Sequence, residues 1–200
     1  MQNNSVIVRP MNSFDNVNTI SELIYNTDPF IYPEAFGDID NARVIISDMI
    51  QKNCGIFCQS NIYVACIEDE IAGIAVLLNE TVSSIPAYYS PDNLPESFHV
   101  VRDLYFNELH RYIDSKSPFY LACLCVDKEH RNLGIGGSIL NYFINDISKH
   151  SFITSIKLHV LVDNSSAIHL YLKHGFQITK EDDGFSINTV KPKCYEMRYQ

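Results

Sequence analysis

Eight consecutive residues, Phe119-Tyr-Leu-Ala-Cys-Leu-Cys-Val126, carry no charge and are apolar on both alternating faces. A strand of that kind is covered on both sides, which places it in the middle of a sheet rather than at an edge. From Ile135 onward, Ile135, Ile139, Leu140, Phe143, Ile144 and Ile147 recur at helical spacing, with Asn141, Asn145, Asp146 and Lys149 on the opposite side. This spacing predicts an amphipathic helix starting near Gly134.

The connection between strand and helix contains Arg131-Asn-Leu-Gly134-Ile-Gly136-Gly137. The first N–H groups of a helix have no intrahelical partner, and with the helix dipole they favour a phosphate. Glycine at 134 and 136 removes the Cβ atoms that would hold a pyrophosphate away, and Arg131 adds a positive charge on a long stem. A glycine-bearing turn with an exposed arginine is the plainer account of the same residues. Two other glycine motifs fit less well. A dinucleotide fingerprint needs glycine or alanine where Ile139 stands and a first glycine close behind the strand, whereas residues 127 to 133 intervene. A P-loop needs a terminal Gly-Lys-Ser/Thr, which is missing here.

The loop resembles the acyl-CoA pyrophosphate loop of the GNAT superfamily of N-acetyltransferases, Arg/Gln-x-x-Gly-x-Gly/Ala, through Arg131, Gly134 and Gly136. Further on, Asn164-Ser-Ser-Ala167-Ile-His-Leu170-Tyr171-Leu-Lys-His-Gly175-Phe176 is similar to the family's Asn…Ala…Leu-Tyr…Gly-Phe segment. The two motifs occur in the family's order, and the resemblance is clearest over residues 119 to 180. It implies a mixed α/β fold: a mostly antiparallel twisted sheet with helices on both faces and a splayed parallel strand pair at the cofactor. It also implies acetyl-CoA as co-substrate, no metal, and direct attack of an amine on the thioester.

Carried over residue by residue, the resemblance gives backbone groups of Leu124, Cys125 and Val126 to the pantetheine amides. Arg131, Asn132, Leu133, Gly134, Ile135, Gly136, Gly137 and Ser138 fall to the pyrophosphate, with Lys128 and His130 adding to the local positive charge. Asn164 would hold the pantetheine arm by its amide, or serve only as a helix cap. Tyr171 stands where the family carries its acid tyrosine; a phenol with a pKa of about 10 is protonated at neutral pH and can donate to a departing thiolate. Packing under its helix with Ile168 and Leu172 is the alternative role for Tyr171. For the base, Glu34, Glu68, Glu108, His110 and His159 stand level, as does a water chain.

The whole chain sets outer bounds. Two hundred residues, 46% hydrophobic and 20% charged, suit one soluble domain. A formal net charge of −9 argues against nonspecific binding to nucleic acid or anionic membranes. It also hints at a cationic acceptor, such as a polyamine, aminoglycoside, amino acid or peptide amine. Met1-Gln-Asn-Asn-Ser has no basic or apolar leader character, and no run approaches the roughly 18 apolar residues of a membrane span, so a cytoplasmic location is expected. Cys54/Cys58 and Cys123/Cys125 lack C-x-x-C spacing and read as small hydrophobes.

Taken in order, Val6 to Met11 predicts a first strand, and Phe14, Val17, Ile20, Leu23 and Ile24 a helical stripe. Asp28 to Gly37, with two prolines and three aromatics, reads as a rigid connector able to wall a pocket. A helix bearing Val44, Ile45, Asp48 and Met49 follows, then a hairpin, Ile62–Ile67 and Ile71–Leu78, across an acidic turn. Residues 79 to 118 read as an insertion, with Tyr88, Tyr89, Glu108 and His110 as candidate acceptor contacts. Ser155 to Val162 alternates as a strand parallel to the central one. Phe176–Thr179 and Cys194–Tyr199 supply two more, joined through Glu181-Asp-Asp-Gly184. The expected protein is thus a single-domain acetyl-CoA-dependent N-acetyltransferase, monomeric or homodimeric. A non-catalytic acyl-CoA-binding or regulatory module and a nucleotide-binding oxidoreductase are the alternatives.

Overall fold

A computed structural model describes residues 5–53, 55–79, 119–147, 155–183 and 192–199. Its centre is a seven-stranded sheet: β1 (Val6–Pro10), β2 (Ile62–Ile67), β3 (Glu70–Asn79), β4 (Phe119–Val126), β5 (Ile156–Leu161), β6 (Gln177–Asp183) and β7 (Lys193–Tyr199). The order across the sheet is β1-β2-β3-β4-β5-β7-β6. Only β4 and β5 pair in parallel; the other neighbours are antiparallel. The uncharged run Phe119–Val126 is the fourth strand of seven, as its pattern requires.

Helices cover both faces. α1 (Val17–Tyr25), α2 (Ile31–Phe36) and α3 (Ile39–Gln51) supply Ile20, Ile24, Tyr32, Phe36, Ile46 and Met49 to one core, where they meet Val64, Ile74, Val76 and Cys123 of the sheet. α4 (Ile135–Asn141), continued by a π-helical turn over Tyr142–Ile147, and α5 (Ser165–Lys173) cover the other face. There Ile135, Ile139, Leu140, Phe143 and Tyr171 join Ala75, Leu121, Leu158 and Met197. No helix among the described residues is long and apolar enough to cross a membrane.

Several local expectations change. The first helical stripe does not begin at Phe14, which is 96% exposed; Asn16 caps α1 by accepting from the N–H groups of Asn18 and Thr19, and a cap of this kind is worth about 1 kcal/mol. On α3 the buried side belongs to Ala42, Ile45, Ile46, Met49 and Ile50, and Val44 faces out. The stretch Asp28 to Gly37 is more than a connector, because α2 forms inside it. Asp28 Oδ1 accepts from Phe30 N at 2.8 Å and Ile31 N at 2.9 Å, Pro33 sits in the first turn where its missing N–H costs nothing, and Gly37 closes the helix at φ +75°. Glu181 to Asp183 belong to β6 rather than to a turn, and Val162 lies beyond the end of β5. Cys66, Cys123, Cys125 and Cys194 are buried and, with Cys58, unpaired with any other cysteine. Cys54, Tyr88, Tyr89, Glu108, His110 and the rest of the expected insertion beyond Asn79 lie outside the described residues.

Candidate active site in the cleft between β4 and β5

The parallel pair is short. β4 meets β5 only at Phe119↔Ile156 and Tyr120↔Lys157, after which the strands part. On its other side β4 stays paired with β3 as far as Val126, but the register slips: Leu77 faces Leu121 and Val76 faces Cys123, so Ala122 has no counterpart. An extra residue bends its strand and strengthens the local twist. Here it sits just past the last β4–β5 pair, which turns β4 away from β5 and, among the described residues, leaves the backbone edge from Leu121 onward without a strand partner on that side. A cavity of about 150 Å³ opens in the gap.

The described lining mixes strands, helix and loop. Tyr120, Leu121, Ala122, Cys123 and Leu124 come from β4; His159, Val160 and Leu161 from β5; Asn164, Ala167 and Tyr171 from α5 and its cap; Thr27, Asp28, Ile31 and Tyr32 from the segment leading into α2. Leu124, Asn164 and Tyr171 therefore line one cavity. Cys125 and Val126 do not line the cavity; they continue β4 toward the glycine loop.

Tyr171 is only 7% exposed, stacks its ring 5.6 Å from Phe176, and has its phenol pushed well up by burial and by the nearby Cys123 thiol, so it stays protonated. Leu172 is 48% exposed and does not share its packing. Asn164 Oδ1 caps α5, accepting from Ala167 N at 3.2 Å, and its amide nitrogen is the part left to donate into the cleft. Cys123 Sγ lies 3.1 Å from the Tyr32 hydroxyl, and burial raises its thiol to about 12, which removes it as a nucleophile.

Of the base candidates, His159 reaches the cleft, whereas Glu34 and Glu68 are exposed elsewhere. Its Nδ1 lies 3.2 Å from the Tyr120 hydroxyl. On the far side, Nε2 is 3.8 Å from Asp182 Oδ2 and 4.0 Å from Glu196 Oε2. Burial outweighs these carboxylates and lowers His159 to about 4, so the ring is neutral at pH 7. The carboxylates themselves are matched by Lys180 on Asp182 at 2.7 Å and Arg198 on Glu196 at 2.9 Å. The His159–Asp182–Glu196 cluster, close-set enough for a metal, is thus also tied into an ion-pair network. Sequence reasoning missed Tyr120, which looks like one more large residue in an apolar run. Its signal was its phenol, a polar group that a fully buried strand must satisfy.

At the start of α4, Asn132 has φ +64° and Gly134 φ +80°, and a Cβ on Gly134 would meet nothing within 4 Å. Open space at a helix N-terminus fits a phosphate. Gly136 differs from expectation: its Cβ would press on Leu170 Cδ2 at 3.0 Å and approach Leu124 and Val126, so this glycine serves the contact of α4 with α5 and β4. A Gly137 Cβ would likewise meet His174. Arg131, Asn132 and Leu133 are exposed, Ile135 is buried in the core, and Ser138 Oγ bonds back to Gly134 O at 3.2 Å. Arg131 Nε reaches Val126 O at 3.4 Å, which ties the loop to the end of β4. Lys128 and His130 form a short turn before it, where His130 Nδ1 sits 3.1 Å from Asp127 Oδ1.

Residues 21–176 match the model of the acetyltransferase (GNAT) family. N-alpha-acetyltransferase 50 of Danio rerio is 43% identical over 58 residues, covering 29% of this chain and 33% of that protein, so the match spans a third of the relative's length. An N-acetyltransferase from Staphylococcus aureus Mu50 superposes with a TM-score of 0.69 at 15% identity, over 96% of this chain and all of that one. Arabidopsis thaliana Naa50, in complex with the bisubstrate analogue CoA-Ac-MVNAL, superposes with a TM-score of 0.58 at 20% identity, over 98% and 99% of the two chains. At these identities the structures share the fold.

Proposed function

The chain belongs to the acetyltransferase (GNAT) family, and on that premise we propose that it transfers the acetyl group of acetyl-CoA to a primary amine by direct attack, in the cytoplasm, as a monomer or homodimer. One observation carries the reading: the β4–β5 gap holds a protonated phenol, Tyr171, and a neutral histidine bonded to a second phenol, Tyr120–His159, within one cavity.

The residues fit the co-substrate. The β4 edge beyond Leu121 offers unpaired backbone to the amides of pantetheine, as an added strand would take it. Asn164 donates its amide to the same arm, while the turn Arg131 to Ser138 receives the pyrophosphate at the open side of Gly134. An amine must lose its proton before it attacks. Asp182 and Glu196 favour the His159 tautomer with hydrogen on Nε2, leaving Nδ1 to accept through the Tyr120 hydroxyl. The ring is neutral at pH 7, so its Nδ1 lone pair is open to that proton. The reading gives the oxyanion that develops on the carbonyl to backbone N–H groups around the Ala122 bulge, which lines the cavity, and has Tyr171 donate to the departing sulfur. The peptide-bearing analogue bound by the Arabidopsis relative supports an α-amine among the acceptors to be tried.

Incubation with acetyl-CoA and a pooled set of amines, followed by release of free CoA thiol, tests the reading. Turnover with at least one amine is expected. Tight CoA binding with no turnover would instead make this a binding or regulatory module, and preferential binding of NAD(H) over CoA would make it an oxidoreductase.

A further inference from the structure

Among the described residues lining the cleft, Asp28 is the one carboxylate, and no lysine or arginine faces it there. Its geometry is divided. Oδ1 is pinned by the N–H groups of Phe30 and Ile31, at 2.8 and 2.9 Å, while no donor among the described residues reaches Oδ2. The half-buried side chain is thus held in one orientation by backbone, with its second oxygen left for a ligand. Burial, opposed by those two backbone bonds, raises the Asp28 carboxyl above its ordinary range, so an uncompensated charge there is costly and a cation would relieve it.

We propose that Asp28 is the specificity-determining residue of the acceptor site and that the acceptor is an amine carrying a second positive group, which Asp28 Oδ2 receives. The word acceptor rests on the acetyl-transfer reading above. The reacting nitrogen is not the partner of Asp28. A carboxylate beside an ammonium holds the proton on it, whereas attack needs that proton removed, and the neutral Tyr120–His159 pair provides for this at the β4–β5 end of the cavity. Asp28 enters from the α2 side, beside Thr27 and Ile31, where a group that keeps its charge can rest. The same chemistry is offered by a small diamine and by a peptide whose first side chain is basic.

The test compares matched acceptors in wild type and Asp28→Asn. Asparagine keeps the Oδ1 acceptor that caps α2 and removes only the charge, so folding and CoA affinity are expected to hold. The probes are 1,4-diaminobutane against n-butylamine, and a tetrapeptide beginning with lysine against one beginning with norleucine. In wild type, kcat/KM for the member with the second positive group, in at least one pair, exceeds that of its singly charged partner by about 10-fold or more, and the ratio collapses toward one in Asp28→Asn. The pair that responds identifies the source. No preference in wild type, a preference that persists in the folded variant, or an equal loss for both members of each pair overturns the assignment. Calorimetric titration of the CoA complex with each amine reads the same preference without turnover. If no amine is acetylated yet the probe with the second positive group binds more tightly and loses that advantage in Asp28→Asn, the acetyl-transfer reading fails and the cation site stands. Equal calorimetric binding of the doubly and singly charged probes removes the site.

Discussion

At the residue scale the cleft assigns different work to two phenols. Tyr171 is buried beside Cys123 and Phe176, and burial keeps its hydroxyl protonated. Tyr120 shares a hydrogen bond with His159, the pair proposed above to take the proton from the amine. A donor to departing sulfur acts in the transition state, so Tyr171→Phe is expected to lower kcat by about 10²-fold or more while the acetyl-CoA Kd stays the same. Wild-type kcat in the folded variant, with chemistry shown to limit the rate, would leave Tyr171 a packing residue. Tyr171 is named through the family resemblance, whose Asn164…Tyr171 segment lies on one helix and its cap. Tyr120, His159 and Asp28 could not be placed together that way, since they lie on three separate elements and only the cavity makes them neighbours.

At the scale of elements, the loop and helix around Gly134 hold two glycines with different reasons to be glycine. Gly134 lies at φ +80° facing open space, and an L-residue there carries strain of roughly 1–2 kcal/mol. Gly136 is buried where α4 meets Leu170 of α5 and Leu124 and Val126 of β4. Gly134→Ala should therefore weaken CoA binding with a modest loss of stability, because the new methyl stands in the phosphate space. Gly136→Val should first lower Tm, since its branches meet packed side chains, and overpacking of a core typically costs about 1–3 kcal/mol. Thermal unfolding and CoA titration of the two variants check this; unchanged CoA affinity in folded Gly134→Ala would move the pyrophosphate away from this loop. The sequence reading explained Gly136 by the ligand alone, because one chain segment read by itself does not reveal that Leu170, Leu124 and Val126 pack across its Cβ side.

At the scale of the molecule, stability and the site are linked through His159, whose side chain is 9% exposed. Burial lowers it from 6.5 to about 4 in the folded protein. Above about pH 6.5 the ring is neutral in both states and the fold keeps its full stability; as pH falls, the unfolded chain takes up a proton that the folded chain refuses until about 4. Stability drops across that window by ~3 kcal/mol if the whole displacement is realised. Asp28 has the opposite sign: its raised carboxyl is protonated first in the folded state, so lower pH relieves it. Urea unfolding at about pH 7.5 and about pH 4.5 should show wild type losing more than His159→Gln. An equal loss in both would exclude His159 as the source. The central strand, the flanking helix, the parallel neighbour after a crossover, and the family were legible in the sequence alone, because burial on both faces, helical periodicity and a glycine-marked helix start are local properties that a chain writes in consecutive residues. Where β4 leaves β5, which side of each strand meets the cavity, and that a connector through two prolines folds into α2 to carry Asp28 into the site were decided by the tertiary structure. The parting of the strands depends on one unpaired residue, Ala122, in a register with β3, and register is set by the packing of distant segments rather than by either strand's own pattern.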